Sequence, residues 1–332
     1  MIILKSIISQ ACAAFWHRLY FSLWHITNKR TTMAQYKIID GVGYLPINAT
    51  TIEKGAFRDC KDMTSIIIPG DITEIGEDAF RGCSGLTSIV IPASVEAIGW
   101  GAFRDCIGLT GIEIPASVTK VAGEVIHGCL NLDSIVVSDG NKEYDSRESC
   151  NAIIETYTNT LIIGCKGSTI PNSIKVIKGK AFCGCVGLKN ISIPDSVIDI
   201  WPRTFENCTD LTSVVLGKSV ASIGFKAFEN CTSLTSINIP DSLTYLDGYA
   251  FSNCTSLTSI VLPKSLSDIR RGLFHGCTAL TSIYIPDSVT EIKELAFDGC
   301  TALQNIYVAP GKVDFFKALL PKDLKSIVKE SW

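Results

Sequence analysis

The fourteen cysteines and four histidines of this 332-residue chain are the side chains best suited to chemistry. Thiolates ligate soft metals, attack substrates or close disulfides. Ten of the cysteines keep a single beat: Cys60, Cys83, Cys106, Cys129, Cys185, Cys208, Cys231, Cys254, Cys277 and Cys300. The step is 23 residues, broken once between Cys129 and Cys185. A structural zinc site needs CxxC pairs that close on one point, and Cys183-x-Cys185 is too close to supply one. Cysteines one repeat apart on parallel coils would carry side-by-side Cβ vectors, whereas a disulfide needs facing ones. The ladder therefore reads as small buried apolar side chains. Cys12, Cys150, Cys165 and Cys183 stand off the beat. Cys150 and Cys165 flank the irregular stretch and would be able to pair if the chain were exported to an oxidising compartment.

The histidines add no catalytic constellation. His127 and His275 share one repeat position, held elsewhere by Arg58, Arg81, Arg104, Cys183, Glu206, Glu229, Ser252 and Asp298. A position so variable reads as surface, and no nucleophile with a fixed base partner accompanies it. The run Gly164-Cys165-Lys166-Gly167-Ser168-Thr169 has the wrong order for a phosphate loop, and Gly41-Val42-Gly43 lacks the third glycine of a dinucleotide fingerprint. A non-catalytic protein is expected, without catalytic residues, cofactor or metal. The same position passes from Arg58, Arg81 and Arg104 to Glu206, Glu229 and Asp298, which on stacked coils would make a basic stripe and then an acidic one. Asp59 and Asp105 beside the arginines would cancel part of it.

The elements that hold these residues follow from the repeat. Phe57, Phe80 and Phe103 are 23 apart, with Ile126 next in phase, and the beat resumes from Phe182 through Phe205, Phe228, Phe251 and Phe274 to Phe297. One unit, ten residues longer than the rest, lies between. In the unit that starts at Leu86, alternation over Ile89, Val90 and Ile91 is strand periodicity. Pro92 ends the strand because it cannot donate to a ladder. Val95 and Ile98 turn inward on the return. Ala102, Phe103 and Cys106 have near-helical spacing, which predicts a short helical turn opposite the strand. A lone 23-residue coil has no opposing layer, so the coils must stack. Charged residues are 19%, hydrophobic ones 46% and the net charge is -3. That balance excludes a mostly disordered chain and a nucleic-acid binder. No apolar run is long enough for a membrane span.

The pattern L-x-x-I-x-I-P-x-S-V-x-x-I-G-x-x-A-F-x-x-C, best kept over residues 86–108, 234–256 and 280–302, resembles the leucine-rich repeats of the BspA-like class. The resemblance covers residues 36–332. It implies an α/β repeat solenoid: a right-handed coil of about eleven turns with one short parallel β-strand each, short helical turns on the opposite side and capped ends. Residues 1–32 read as an extension, either upstream of a natural start at Met33 or a degraded signal. Residues 33–62 hold the N-terminal cap, a hairpin about Asp40-Gly41, and a first degenerate repeat. Regular repeats occupy 63–136. Residues 137–187 form a longer irregular repeat with a hairpin at Thr158-Asn159-Thr160. Regular repeats resume over 188–310, and residues 311–332 form a helical C-terminal cap, with helices over 313–320 and 323–329.

Repeat proteins bind partners on the concave strand face. There Glu113, Asn238, Val261, Tyr284 and Tyr307 are the candidate contacts, the tyrosines as anchors. Tyr144, Arg147 and Tyr157 of the irregular repeat are the candidate recognition loop. The resemblance implies a protein-interaction module that mediates adhesion or recognition of a protein ligand at a microbial cell surface, or after secretion. With Met33 as the start, the alternative is a cytoplasmic scaffold or effector that binds another protein.

Overall fold

The structure, a computed structural model, describes residues 36–330. The expectations for residues 1–32, Cys12 and Met33 lie outside the described residues. Two parallel ladders run along the stack. The wider holds strands such as Gly111–Ile114, Ser213–Val215, Ser259–Val261 and Ser282–Tyr284, each paired one repeat on, as Ser213 with Ser236. The unit at Leu86 contributes no assigned strand to it. The second ladder was not expected. It consists of two-residue strands on the return arc, such as Glu74–Ile75, Ala97–Ile98 and Lys120–Val121, again parallel and in register. Between the ladders the P-x-S-V segment makes a tight turn: the Val95 N–H donates to the Pro92 carbonyl (3.0 Å) and the Val118 N–H to that of Pro115 (3.2 Å). Its serine ties coil to coil, as Ser94 Oγ donates to the Ile72 carbonyl (2.6 Å).

The helical turn expected at Ala-Phe-x-x-Cys does not form. The chain there makes successive turns with two left-handed residues per coil, such as Asp78 (φ 53°) and Gly82 (φ 73°). A helix requires right-handed φ throughout. Alternate N–H groups explain the preference. Those of Ala79 and Arg81 close turns within the coil, while those of Asp78, Phe80 and Gly82 donate to Trp100, Ala102 and Arg104 of the next (each 2.8 Å). A helix would direct all of them inward along its own axis, and the coils would lose this third line of bonds.

The phenylalanines stack ring on ring, 5.1–5.9 Å apart and within 13° of parallel, from Phe57 to Phe103 and again from Phe182 to Phe297. The cysteines beside them do more than fill space. Each thiol from the second copy onward, apart from Cys185, donates to the Phe carbonyl of the preceding coil: Cys83 to Phe57 (2.9 Å), Cys231 to Phe205 (3.2 Å), Cys300 to Phe274 (3.1 Å). Cys231→Val should therefore fail to restore the stability lost in Cys231→Ala, a loss of about 1–3 kcal/mol by urea unfolding. Full recovery with Val would reduce the thiol to a space-filler.

Both caps are present. Strands Lys37–Ile39 and Val42–Tyr44 form an antiparallel hairpin through Asp40 (φ 49°) and Gly41 (φ 77°), the left-handed pair that an Asp-Gly turn supplies. Tyr36 sets its ring edge-on against Phe57, 5.3 Å between centroids. The helix Val313–Leu319 buries Phe316 over the last coils. The second helix expected over 323–329 is a 3-10 segment, Lys322–Ile327, that gives way to a strand, Val328–Glu330, parallel to Asn305–Val308. Leu320-Pro321 re-aims the chain, and the open edge of the sheet offers Val328 a ladder that a free helix would leave unpaired. With the hairpin strand and this last strand as extra rungs, the stack has about 13 turns rather than eleven.

Candidate functional site

The wide ladder exposes every second side chain, because strand neighbours point to opposite faces. Val261, Tyr284 and Tyr307 are in register on adjacent strands, and Lys329 follows them as the next partner. Val261 is 66% exposed, and both tyrosines are half-buried along the sheet. Val90, Val136 and Val215 are exposed at the same phase further back. Asn238 is also exposed. Glu113 is exposed and accepts a hydrogen bond from Ser138 (2.7 Å). The five face residues thus all reach the strand surface. The structure brings Val261, Tyr284 and Tyr307 together in one sheet, and Asn238 lies one rung before them on a strand packed against that of Val261, while Glu113 stands apart in another short sheet.

The irregular unit is an antiparallel sheet set into the stack. Tyr144–Asp145 pairs with Ala152–Glu155, which pairs with Thr160–Gly164, and the last joins the narrow ladder in parallel at Val176–Ile177. Asn159 (φ 53°) makes the hairpin turn. Of its three candidate residues only Tyr157, 77% exposed, faces outward. Tyr144 is buried, and its hydroxyl accepts the Val121 N–H (3.2 Å). Arg147 reaches Asp145 (2.7 Å from Nε), Asn159 (2.8 Å) and Ser173 (3.3 Å), tying the hairpin to the next coil. Burial would raise the Asp145 pKa, but Arg147 outweighs it and holds that carboxyl below its ordinary range. Tyr144 and Arg147 are thus occupied in holding the unit together. Periodicity cannot show this, because both residues sit where the period is broken.

Cys150 and Cys165 do not pair. Both are free, and they face different apolar clusters, Cys150 the one that runs to Val328 and Cys165 the one that begins at Leu45. The Cys165 thiol points to the Asn151 carbonyl (3.5 Å) and that of Cys150 to Ala152 (3.8 Å). The charge stripe is cancelled locally. Arg58 and Arg81 share Asp78 (3.4 Å each), Arg104 meets Glu124 (2.6 Å), and Glu206 and Glu229 pair with Arg203 (3.2 Å) and Lys226 (3.0 Å). Among the described residues no group of three or more His, Cys, Asp or Glu is arranged to hold a metal ion, and no helix is long and apolar enough to cross a membrane.

Against known families, the model of the BspA type leucine rich repeat region matches in six copies, over residues 44–153, 153–277 and 199–318. The chain belongs to this family. No curated protein matches the BspA-type chain. Solved structures do. A leucine rich cell surface protein from Faecalibacterium prausnitzii is 29% identical over 80% of this chain and 71% of its own, with a TM-score of 0.56. A leucine-rich repeat protein from Eubacterium ventriosum is 22% identical over 81% and 93%, at 0.50. The pneumococcal vaccine antigen PcpA is 19% identical over 85% and 75%, at 0.57. The last two share the fold alone. Leucine-rich repeats of this kind are protein-interaction modules, and the family is typically non-catalytic.

Proposed function

We propose that this BspA-type protein is a non-catalytic adhesion or recognition module that binds a protein ligand at a microbial cell surface, with the strand face as its contact. The observation that carries the reading is the register of Val261, Tyr284 and Tyr307 on adjacent strands of one sheet. Rungs about 4.8 Å apart place the two rings side by side as a rigid, amphipathic patch. Such patches concentrate binding energy, because tyrosine offers much area for little rotamer entropy. Tyr157 is a second, separate contact at the hairpin tip. The surface location is supported by the Faecalibacterium prausnitzii relative, which is described as a cell surface protein.

Tyr284→Ala with Tyr307→Ala should weaken capture of a purified surface-protein ligand by about 2 kcal/mol or more, roughly thirtyfold in Kd. Both side chains are only half-buried, so circular dichroism of the double variant should match the parent. Unchanged affinity in a folded double variant would remove the strand face from consideration. Surface biotinylation of intact producing cells checks the location, and labelling only after lysis would count against it.

A further inference from the structure

The irregular unit leaves a notch on the turn side with binding chemistry of its own. At each regular junction three N–H groups sew one coil to the next. Those of Gly101, Phe103 and Asp105 donate to Gly123 (3.1 Å), Val125 (2.8 Å) and His127 (2.7 Å). Those of Lys180, Phe182 and Gly184 donate to Pro202 (3.2 Å), Thr204 (2.9 Å) and Glu206 (2.7 Å). The equivalent groups of the coil between, Glu124, Ile126 and Gly128, have no backbone acceptor among the described residues. One rung is missing. The irregular unit spends that length on its hairpin and contributes only Gly164, whose N–H donates to Ala181 (2.8 Å) under the ring of Phe182. A Cβ on Gly164 would lie 2.2 Å from that ring, so the unit has no room for a phenylalanine turn here.

Side chains alone bridge the gap. Lys180 reaches Glu124, and the His127 ring lies against Gly184. Between the walls is a cleft of about 210 Å³ with Val125, Leu132 and Ile162 in its lining. Lys166, Lys178 and Lys180 also line it, and Glu124 is the one acidic residue among its lining residues. Lys178 has no ion-pair partner among the described residues, while Lys166 holds the exposed Asp133 (3.3 Å).

We propose that this cleft takes an extended, acidic segment of a protein partner as the missing rung. Donors on alternate residues match the carbonyls on alternate residues of an extended strand, the pairing by which peptides add to open sheet edges. The far wall offers the Gly179 carbonyl, which accepts no backbone N–H. The excess of lysine over acid on the lining selects carboxylate side chains, and the three-donor row demands a backbone rather than a single ion.

The test uses amide hydrogen exchange by NMR and a blocked hexapeptide of alternating Asp and Val. In the free protein the N–H groups of Glu124, Ile126 and Gly128 should exchange fast, and those of Phe103 and Phe205 slowly. The acidic peptide should slow the three by about tenfold or more. The same peptide with Lys for Asp should leave them unchanged. Lys178→Glu should weaken the acidic peptide roughly fivefold without moving the thermal midpoint, since Lys178 is exposed and unpaired. Slow exchange of the three groups before any peptide is added would overturn the proposal. So would fast exchange at millimolar peptide, or equal protection by inorganic phosphate alone.

Discussion

Under reducing conditions the protein should lose its fold between about pH 8 and about pH 10, at a temperature where it is stable at neutrality. Seven ladder thiols are buried: Cys83, Cys106, Cys208, Cys231, Cys254, Cys277 and Cys300. Burial raises the pKa of every one, Cys83 and Cys300 to about 12 and Cys208 and Cys231 far above the usual thiol range. A native pKa raised above the unfolded value gives stability that is complete below the unfolded pKa. It fades once the unfolded chain begins to ionise and is gone when the pH passes the native pKa. Thiols of an unfolded chain ionise near pH 8.5, so each buried one would forfeit about 2 kcal/mol by about pH 10. Seven together forfeit up to about 14 kcal/mol, comparable with the whole stability of an ordinary fold. Thermal unfolding followed by circular dichroism with excess reductant should show the midpoint falling steeply above about pH 8.5. Cys231→Ala should shift that fall toward higher pH, because one titrating group is gone. A midpoint that holds level to about pH 10 would mean the ladder thiols are not sealed from solvent.

Phe228→Ala should be among the most damaging single substitutions, at about 3–5 kcal/mol. The ring is fully buried and stacked between Phe205 (5.2 Å) and Phe251 (5.5 Å), so its removal leaves a void on both sides. In a one-dimensional stack each coil touches only its neighbours, and two interfaces loosen at once. Urea unfolding should show a lower midpoint, with a shallower slope if the coils on either side begin to unfold separately. Phe103→Ala should cost less, because Phe103 stacks on Phe80 alone and the next position in phase is Ile126. A loss below about 1 kcal/mol for Phe228→Ala would show that the neighbouring coils collapse into the gap.

Much of this architecture was legible as spacing. The phase of Phe and Cys, the proline that follows most strands of the wide ladder, the Asp-Gly hairpin and the apolar stripe of the C-terminal helix are local signals, and each appears where the sequence puts it. The exposed row through Val261, Tyr284 and Tyr307 was legible for the same reason: strand alternation assigns a face to each residue. A further local signal marks the turns themselves. Two residues after the Phe phase stand Asp59, Gly82, Asp105, Gly128, Gly184, Asn207, Asn230, Asn253, Gly276 and Gly299, and all ten have positive φ. Glycine, asparagine and aspartate are the residues that visit the left-handed region, so ten of ten at one position argued against the helical turn.

The sequence by itself determined the coil, its core and its two ends, because a repeat writes the same short-range demand many times over. Only the tertiary structure decided what lies opposite what. The second ladder, the last strand at Val328–Glu330, the thiol bonds to the preceding coil and the inward turn of Tyr144 all depend on a partner at least one coil away in sequence. The missing rung beside Glu124, Ile126 and Gly128 is the plainest case. Those residues look regular in the chain, and their N–H groups stand open because the next coil, tens of residues later, sends its backbone elsewhere.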